Sequence, residues 1–356
     1  MRVLIAGGGT GGHVIPALAI ARELRDAHGA EVRFVGTARG LETRLVPEAG
    51  FALELIKVGQ LKNVSLMTRV RTFADLPLGL LRCAGLLRSF KPDVVVGVGG
   101  YASGPAMMAA ILLRVPTLAF EPNAVPGLAN RLVGRLVGAA AVNFAATTSY
   151  FRRAEVTGIP VRKEFFALAP KQAGALRLLV FGGSQGAQVL NRVMPSVASG
   201  LLEQFPALEI VHQAGGRHGE TTAEAFRSAG VVSERVRVVP YLDGMVEEIG
   251  GADLIVCRSG ASTVAELAAA GRASVLVPFA AAADDHQRKN ADVLVEAGAA
   301  VMVLESELNP ERLGAVVADL LEDSARRSRM GEAARGLAHA DAAGQIARMC
   351  LRLARP

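Results

Sequence analysis

Residues 5–16 read IAGGGTGGHVIP and residues 180–191 read VFGGSQGAQVLN. Each places a glycine turn directly behind an apolar run, and the first turn closes on His13. Glycines there permit positive φ and let backbone N–H groups approach a phosphate at the start of the next helix. Gly7, Gly9 and Gly12 spell G-x-G-x-x-G, a weak signal alone. A dinucleotide site would also want an acid after the second strand, where the chain has Gly36, Thr37 and Ala38. Arg39 could instead meet a 2′-phosphate, so an NADP enzyme stays open. A P-loop is excluded, because no Gly-Lys-Ser/Thr follows either turn. His13 either caps its helix or serves as a general base, since an ordinary imidazole suits proton abstraction at neutral pH.

The second half adds CRSGASTVAELAAAG, residues 257–271. An apolar strand ends in Arg-Ser-Gly and a helix opens with Ala-Ser-Thr, its first N–H groups again available to an anion. Glu266 sits one turn into that helix, where it either favours the helix dipole or accepts two hydrogen bonds from a ribose diol. Asp284, Asp285, His286 and Gln287 precede another helix as N-capping groups or as partners for sugar hydroxyls. The two aspartates are adjacent, so they lack the Asp-x-Asp spacing of metal-bridged sugar transferases.

Short β-rich runs alternate with helical patterns through all 356 residues, which predicts βαβ units and parallel sheets. The first half offers RVLIA, EVRFVG, FALELIKV, DVVVGVG, PTLAF and AAAVNF. The second restarts with LRLLVFGG, LEIVHQ, RVRVVPYL, DLIVCRSG, SVLVPF and AAVMVLE. A helix is expected from Pro16 to just before Gly29. Residues 144–175 are poorly periodic and are expected to be the linker. The fold class is therefore α/β, with two doubly wound, Rossmann-like domains facing a cleft. Residues 1–158 form the N-terminal domain and 159–340 the C-terminal one, and the helix within 341–356 is expected to pack back on the first. Each glycine turn then lies at the carboxyl end of a first strand, where such sheets bind ligands.

Charge and composition narrow the class. The net charge is +6, but residues 1–158 hold 18 Lys and Arg against 10 Asp and Glu, while the remainder holds 21 against 23. The basic excess of the first half points to an anionic partner. Cys83, Cys257 and Cys350 lie far apart without metal-ligand spacing, as small buried thiols of a reducing compartment would. No apolar run reaches the roughly 18–20 residues of a membrane span, and the early glycines leave no signal-peptide core. Residues 57–91 interleave Lys57, Lys62, Arg69, Arg71, Arg82, Arg88 and Lys91 with leucines and one acid, Asp75. Pro77 and Gly79 are expected to break this run, leaving an interfacial face whose apolar side dips into a lipid headgroup layer.

GGGTGGHVIPALAIA, KPDVVVGVGGYASGP, NAVPGLANR, GIPVR, GGSQGAQVLN, CRSGASTVAELAAAGRASVLVPF and DDHQRKNA run in one order over essentially the whole chain. Taken together, they resemble the MurG family of lipid II-forming N-acetylglucosaminyltransferases. The resemblance implies a glycosyltransferase B-type fold and an inverting transfer from UDP-N-acetylglucosamine to the 4-hydroxyl of the muramoyl sugar of lipid I. It implies that Ser184 and the helix start Ala261, Ser262, Thr263, Val264, Ala265 and Glu266 meet the diphosphate and ribose. Leu242 would offer backbone groups to the uracil, with Arg162 nearby, and Gln287 would hold the sugar hydroxyls. Thr10, Gly11 and Gly12 would line the first-domain wall as part of the UDP-N-acetylglucosamine site, and Asn123 would reach the donor sugar. His13 is the candidate base, with Glu121 second. Phe120 and Pro122 stand where the family more often has His and Gln. One glycine turn would serve the UDP-sugar and the other the acceptor's diphosphate. The resemblance implies no resident cofactor or metal, although stimulation by a divalent cation stays open. The implied partners are the two substrates and the anionic inner-membrane surface, without nucleic acid. The implied location is peripheral, on the cytoplasmic face of the bacterial cell membrane. The rivals are the same fold acting on a soluble acceptor, a non-hydrolysing UDP-sugar epimerase, and a UDP-sugar-binding protein.

Overall fold

The computed structural model describes residues 1–57, 66–169, 171, 174–183, 185–232 and 234–354, with residues 66–76 described by their backbone alone. The chain forms two compact units, Met1–Val161 with Asp341–Pro356 and Arg162–Ala340.

In the first unit β1 (Arg2–Ala6), α1 (Gly11–His28), β2 (Glu31–Gly36), α2 (Glu42–Glu48), β3 (Ala52–Leu55) and α3 (Leu66–Phe90) follow in order. Then come β4 (Val94–Gly97), α4 (Ser103–Leu112), β5 (Thr117–Glu121), α5 (Leu128–Val133), β6 (Ala139–Val142) and β7 (Ala154–Val156). The seven strands pair in parallel in the order β3-β2-β1-β4-β5-β6-β7. Central strands such as β4, Val94-Val95-Val96-Gly97, are buried throughout, as a parallel sheet covered on both faces requires. Helix α3 contributes the buried Cys83, Leu87 and Phe90 to the core cluster on one face of this sheet.

The second unit opens with the single turn α6 (Lys163–Phe166), then β8 (Leu176–Phe181), α7 (Gln188–Gln204), β9 (Leu208–Gln213), α8 (Gly219–Ser228), β10 (Val236–Val239) and α9 (Met245–Gly251). It continues with β11 (Leu254–Cys257), α10 (Ala261–Ala270), β12 (Ser274–Leu276), α11 (His286–Glu296), β13 (Ala300–Met302), α12 (Pro310–Glu322) and α13 (Ser324–Gly336). Its six parallel strands run β10-β9-β8-β11-β12-β13. The last helix, α14 (Ala342–Ala354), belongs to the first unit and packs on α1 and along β4, β5 and β6.

Three expectations need correcting. Helix α1 begins at Gly11, with Thr10 as extended N-cap, so Pro16 lies inside it and His13 falls in its first turn. Residues 144–175 are not one linker. They hold a 3-10 turn (Ala145–Tyr150), the edge strand β7 paired with β6, and α6, and the units divide between Val161 and Arg162. A three-residue edge strand with Glu155 and Val156 exposed has too little apolar alternation to declare itself. Finally, α3 runs unbroken through Pro77, although proline removes one helical hydrogen bond. Tertiary packing of its second half offsets that loss.

Candidate active site

Both sheets reverse their winding beside their first strand, between β1 and β4 in one unit and between β8 and β11 in the other. At such a switch point two loops part above the carboxyl ends of the strands, which is where α/β sheets hold ligands. The glycine turns lie there.

In the first unit Gly7, Gly8 and Gly9 take φ of 152°, 151° and 95°, values that strongly favour glycine. The facing turn after β4 adds Gly99 and Gly100 at 88° and 82°. The two turns interlock: a Cβ at Gly7 would overlap the Gly99 carbonyl oxygen, and one at Gly100 would overlap that of Gly8. Gly8 N–H donates to Gly99 O at 3.4 Å. Thr10, Gly11, Gly12 and His13 follow as the N-cap and first turn of α1. The His13 ring is half-buried, with Nδ1 3.3 Å from Thr10 Oγ1. Its Nε2 faces Gly99, which has no side chain to displace it. Thr10 thus steadies the ring at Nδ1, and the glycine at 99 leaves it room.

Glu121 ends β5 and is buried. Oε1 accepts from Asn123 N–H at 3.0 Å and Nδ2 at 3.2 Å, and Oε2 from Gly127 N–H and Asn130 Nδ2, both at 3.0 Å. Burial raises its pKa, and these four donors oppose the rise. With both oxygens engaged inside the protein, Glu121 shapes the 122–127 loop and aims Asn123. Its hydrogen bonds thus run to the loop that bears Asn123. Phe120, fully buried in β5, offers no ring atom to a ligand.

In the second unit the turn after β8 carries Gly183 and Gly186 at φ 81° and 72°. Ser184 lies outside the described residues. The loop after β11 delivers α10, capped by extended Gly260. Ala261 and Val264 are buried, and Ser262, Thr263, Ala265 and Glu266 are half-buried. The Ser262 hydroxyl oxygen is itself buried without a hydrogen-bond partner, an uncommon state for a native hydroxyl. Burial pushes the Glu266 carboxyl up to about 7, and the charge of Arg162, at the N-cap of α6, acts against that rise. Arg162 itself is exposed, its guanidinium 4.9 Å from the Phe165 ring centre. Leu242 is buried past the end of the edge strand β10. Gln287, in the first turn of α11, accepts from Phe279 N–H at 3.0 Å through its side-chain oxygen. Its amide nitrogen remains the part able to donate to a sugar oxygen. Just before it, Asp284 and Asp285 both adopt left-handed backbone, φ 56° and 55°.

Three residues escaped the sequence reading. Arg258 donates to Val277 O at 3.0 Å and Pro278 O at 3.1 Å and pairs with Glu305, so it holds the strand end that anchors Gln287. Gln213, buried at the end of β9, accepts from Gly182 N–H at 3.3 Å and donates to Pro240 O at 3.2 Å. It thereby links the second glycine turn to the loop bearing Leu242. Glu42 reaches the first glycine turn from α2. Among the described residues no group of three or more His, Cys, Asp or Glu is placed to hold a metal ion.

Two family models match the chain: the glycosyltransferase family 28 N-terminal domain over residues 3–142 and the C-terminal domain over 177–346. The UDP-N-acetylglucosamine–N-acetylmuramyl-(pentapeptide) pyrophosphoryl-undecaprenol N-acetylglucosamine transferase of Anaeromyxobacter dehalogenans (strain 2CP-C) is 45% identical over 361 residues, covering 100% of this chain and 94% of that protein. The protein of that name from Solibacter usitatus (strain Ellin6076) is 46% identical over 356 residues, covering 99% and 96%. The crystal structure of Acinetobacter baumannii MurG superposes with a TM-score of 0.82 at 32% identity, over 99% of each chain.

Proposed function

The chain belongs to glycosyltransferase family 28, among its MurG-type N-acetylglucosaminyltransferases, and from that membership we propose how its residues divide the reaction. It transfers N-acetylglucosamine from UDP-N-acetylglucosamine to the undecaprenyl-pyrophosphoryl N-acetylmuramyl-pentapeptide, converting lipid I to lipid II. The observation that carries the donor assignment is the start of α10, where an unpartnered Ser262 hydroxyl stands one turn from Glu266. A diphosphate there meets the helix's first N–H groups, and the ribose hydroxyls donate to the Glu266 carboxylate. Arg162 adds a positive charge nearby. Ser184, Leu242 and Gln287 complete the proposed donor set on phosphate, uracil and sugar, and Asn123, held by Glu121, is assigned to the donor sugar as well.

In the transfer step His13 Nε2 takes the proton from the muramoyl 4-hydroxyl. The oxygen forms its bond to the anomeric carbon from the face opposite UDP, the bond to the diphosphate oxygen breaks, and configuration inverts. UDP leaves with the electron pair, its charge met by the α10 helix start. Thr10, Gly11 and Gly12, which the resemblance puts in the UDP-N-acetylglucosamine set, we assign instead to the acceptor side, because they share the N-cap and first turn of α1 with His13.

The acceptor's lipid ties the enzyme to a membrane surface. Exposed Leu78 and Leu81 on α3, Leu112 at the end of α4, and Leu132 and Leu136 on and after α5 support such a contact, since these helices pack side by side. Arg82, Arg88, Arg114, Arg131 and Arg135 are exposed among them. Apolar side chains in the headgroup boundary ringed by arginines suit a peripheral contact with anionic lipid on the cytoplasmic leaflet. Among the described residues no helix is long and apolar enough to cross a membrane.

Incubation with UDP-N-acetylglucosamine and a short-chain lipid I analogue tests the assignment, with disaccharide product expected. Turnover of a soluble glycoside in preference to that analogue, or epimerised UDP-sugar without transfer, would sink it.

A further inference from the structure

Glu42 is a buried carboxylate that the chemistry above does not use. It is 1% exposed, opens α2, and extends beneath the first glycine turn. Oε2 accepts from Gly9 N–H at 2.7 Å, and Oε1 accepts from the N–H and the hydroxyl of Thr37, both at 3.0 Å. Three glycines are shaped around it. A Cβ at Gly8 or Gly40 would overlap the carboxylate, and one at Gly36 would crowd its Cγ. The backbone beside it is tied to the same turn, because Leu41 N–H donates to Gly9 O at 3.1 Å.

A charge this deep persists only when its oxygens are hydrogen-bonded, and a helix N-terminus adds further support. The converse also holds. Donors satisfied by a fixed carboxylate are themselves fixed, and here one of them is the backbone of the turn. We infer that Glu42 is a positioning residue, holding Gly7–Gly9 on their positive-φ path and thereby setting Thr10–His13 for the lipid-linked acceptor. The inference rests on the reading of this turn as the acceptor side. It carries a chemical consequence: Gly9 N–H already serves an internal anion, so it is not among the groups that can receive an acceptor phosphate.

Glu42→Gln in the full chain tests this, because it keeps the size but replaces one acceptor oxygen with a donor. Hydrogen exchange of the amides of residues 7–13 should quicken about ten- to a hundredfold, as loss of a hydrogen bond to a charged group predicts. KM for a lipid I analogue should rise about tenfold, while KM for UDP-N-acetylglucosamine stays within about twofold. A purely structural role would not split the two KM values. Should that variant fail to fold, Thr37→Val removes the hydroxyl donor alone, keeps the backbone N–H, and carries the same readouts in weaker form. Wild-type exchange rates in the variant, or equal rises in both KM values, overturn the positioning role. If saturating lipid I analogue leaves exchange of residues 7–13 unchanged in the wild type, the acceptor reading itself fails, whatever Glu42 does.

Discussion

Replacing Glu266 with Gln should change both stability and donor affinity in a pH-dependent way. The native carboxyl is pushed up to about 7 from an ordinary 4.5 by burial, against the opposing charge of Arg162. A folded-state pKa above the unfolded one means that the native state binds the proton more tightly. Stability from this group is therefore fully present below about pH 4.5 and is lost as pH rises through 7. At about 1.4 kcal/mol per unit the shift sets a ceiling of about 3.4 kcal/mol. Glu266 is half-buried, so solvent screening lowers the expected effect to about 1–2 kcal/mol. Gln does not titrate. Between pH 5 and 8 the wild type should thus lose about 2–8 °C of melting temperature relative to Glu266→Gln, at about 2–4 °C per kcal/mol for a unit of this size.

The donor reverses the preference. Ribose hydroxyls donate best to an ionised carboxylate, so binding UDP-N-acetylglucosamine should draw the pKa down. Affinity should then weaken by up to about tenfold for each pH unit below 7. Calorimetric titration from pH 5.5 to 8 should show that slope in the wild type and a weak, flat affinity in Glu266→Gln. Parallel melting curves for the two proteins, together with pH-independent binding to both, would refute the reasoning and remove Glu266 from the ribose site.

His13→Ala should cut kcat by about 10² to 10⁴, the usual worth of a general base, with the melting shift induced by UDP-N-acetylglucosamine preserved. Initial rates that stay near wild type would reduce His13 to a helix cap. Glu121→Gln loses acceptor capacity for two of its four donors and should destabilise the first unit by about 2–4 kcal/mol in denaturant titration; unaltered stability would contradict its bracing of the Asn123 loop. Changing Arg69, Arg71, Arg82 and Arg88 together to Glu should release the protein from anionic vesicles at low salt, each charge contributing about 1 kcal/mol. Equal co-sedimentation of both proteins would move the membrane contact elsewhere.

The sequence was most legible where a residue type has few structural uses. Glycines clustered behind apolar strands located both turns, because positive φ and close backbone approach leave few alternatives. Pro16 misled for a related reason. Proline favours the first helical position, yet α1 starts five residues earlier in Gly-Gly-His, residues of modest helix propensity that β1 and the facing Gly99–Gly100 turn hold in place. Glu42 was invisible because its partner Gly9 is 33 residues away and no helical or strand period connects them. An acid opening a helix reads as ordinary dipole complementarity. The glycines at 36 and 40, both just before it, make room for its side chain, but only the structure shows why they are there.

The two turns look alike in sequence, but their supports differ in charge. Gly9 N–H is braced by the Glu42 carboxylate, whereas Gly182 N–H is braced by the neutral Gln213 amide. A fixed negative charge beside a loop lowers the potential that an incoming phosphate meets, and in a poorly hydrated interior that penalty is larger than in water. A neutral brace fixes the backbone without that penalty. The second turn is thus braced without an added charge, which favours it for the diphosphate of the proposed donor. The first turn trades part of that field for rigidity, which suits the base proposed for His13. Similar glycine spacing thus carries braces of unequal charge, and the acid that separates the two turns lies outside both motifs.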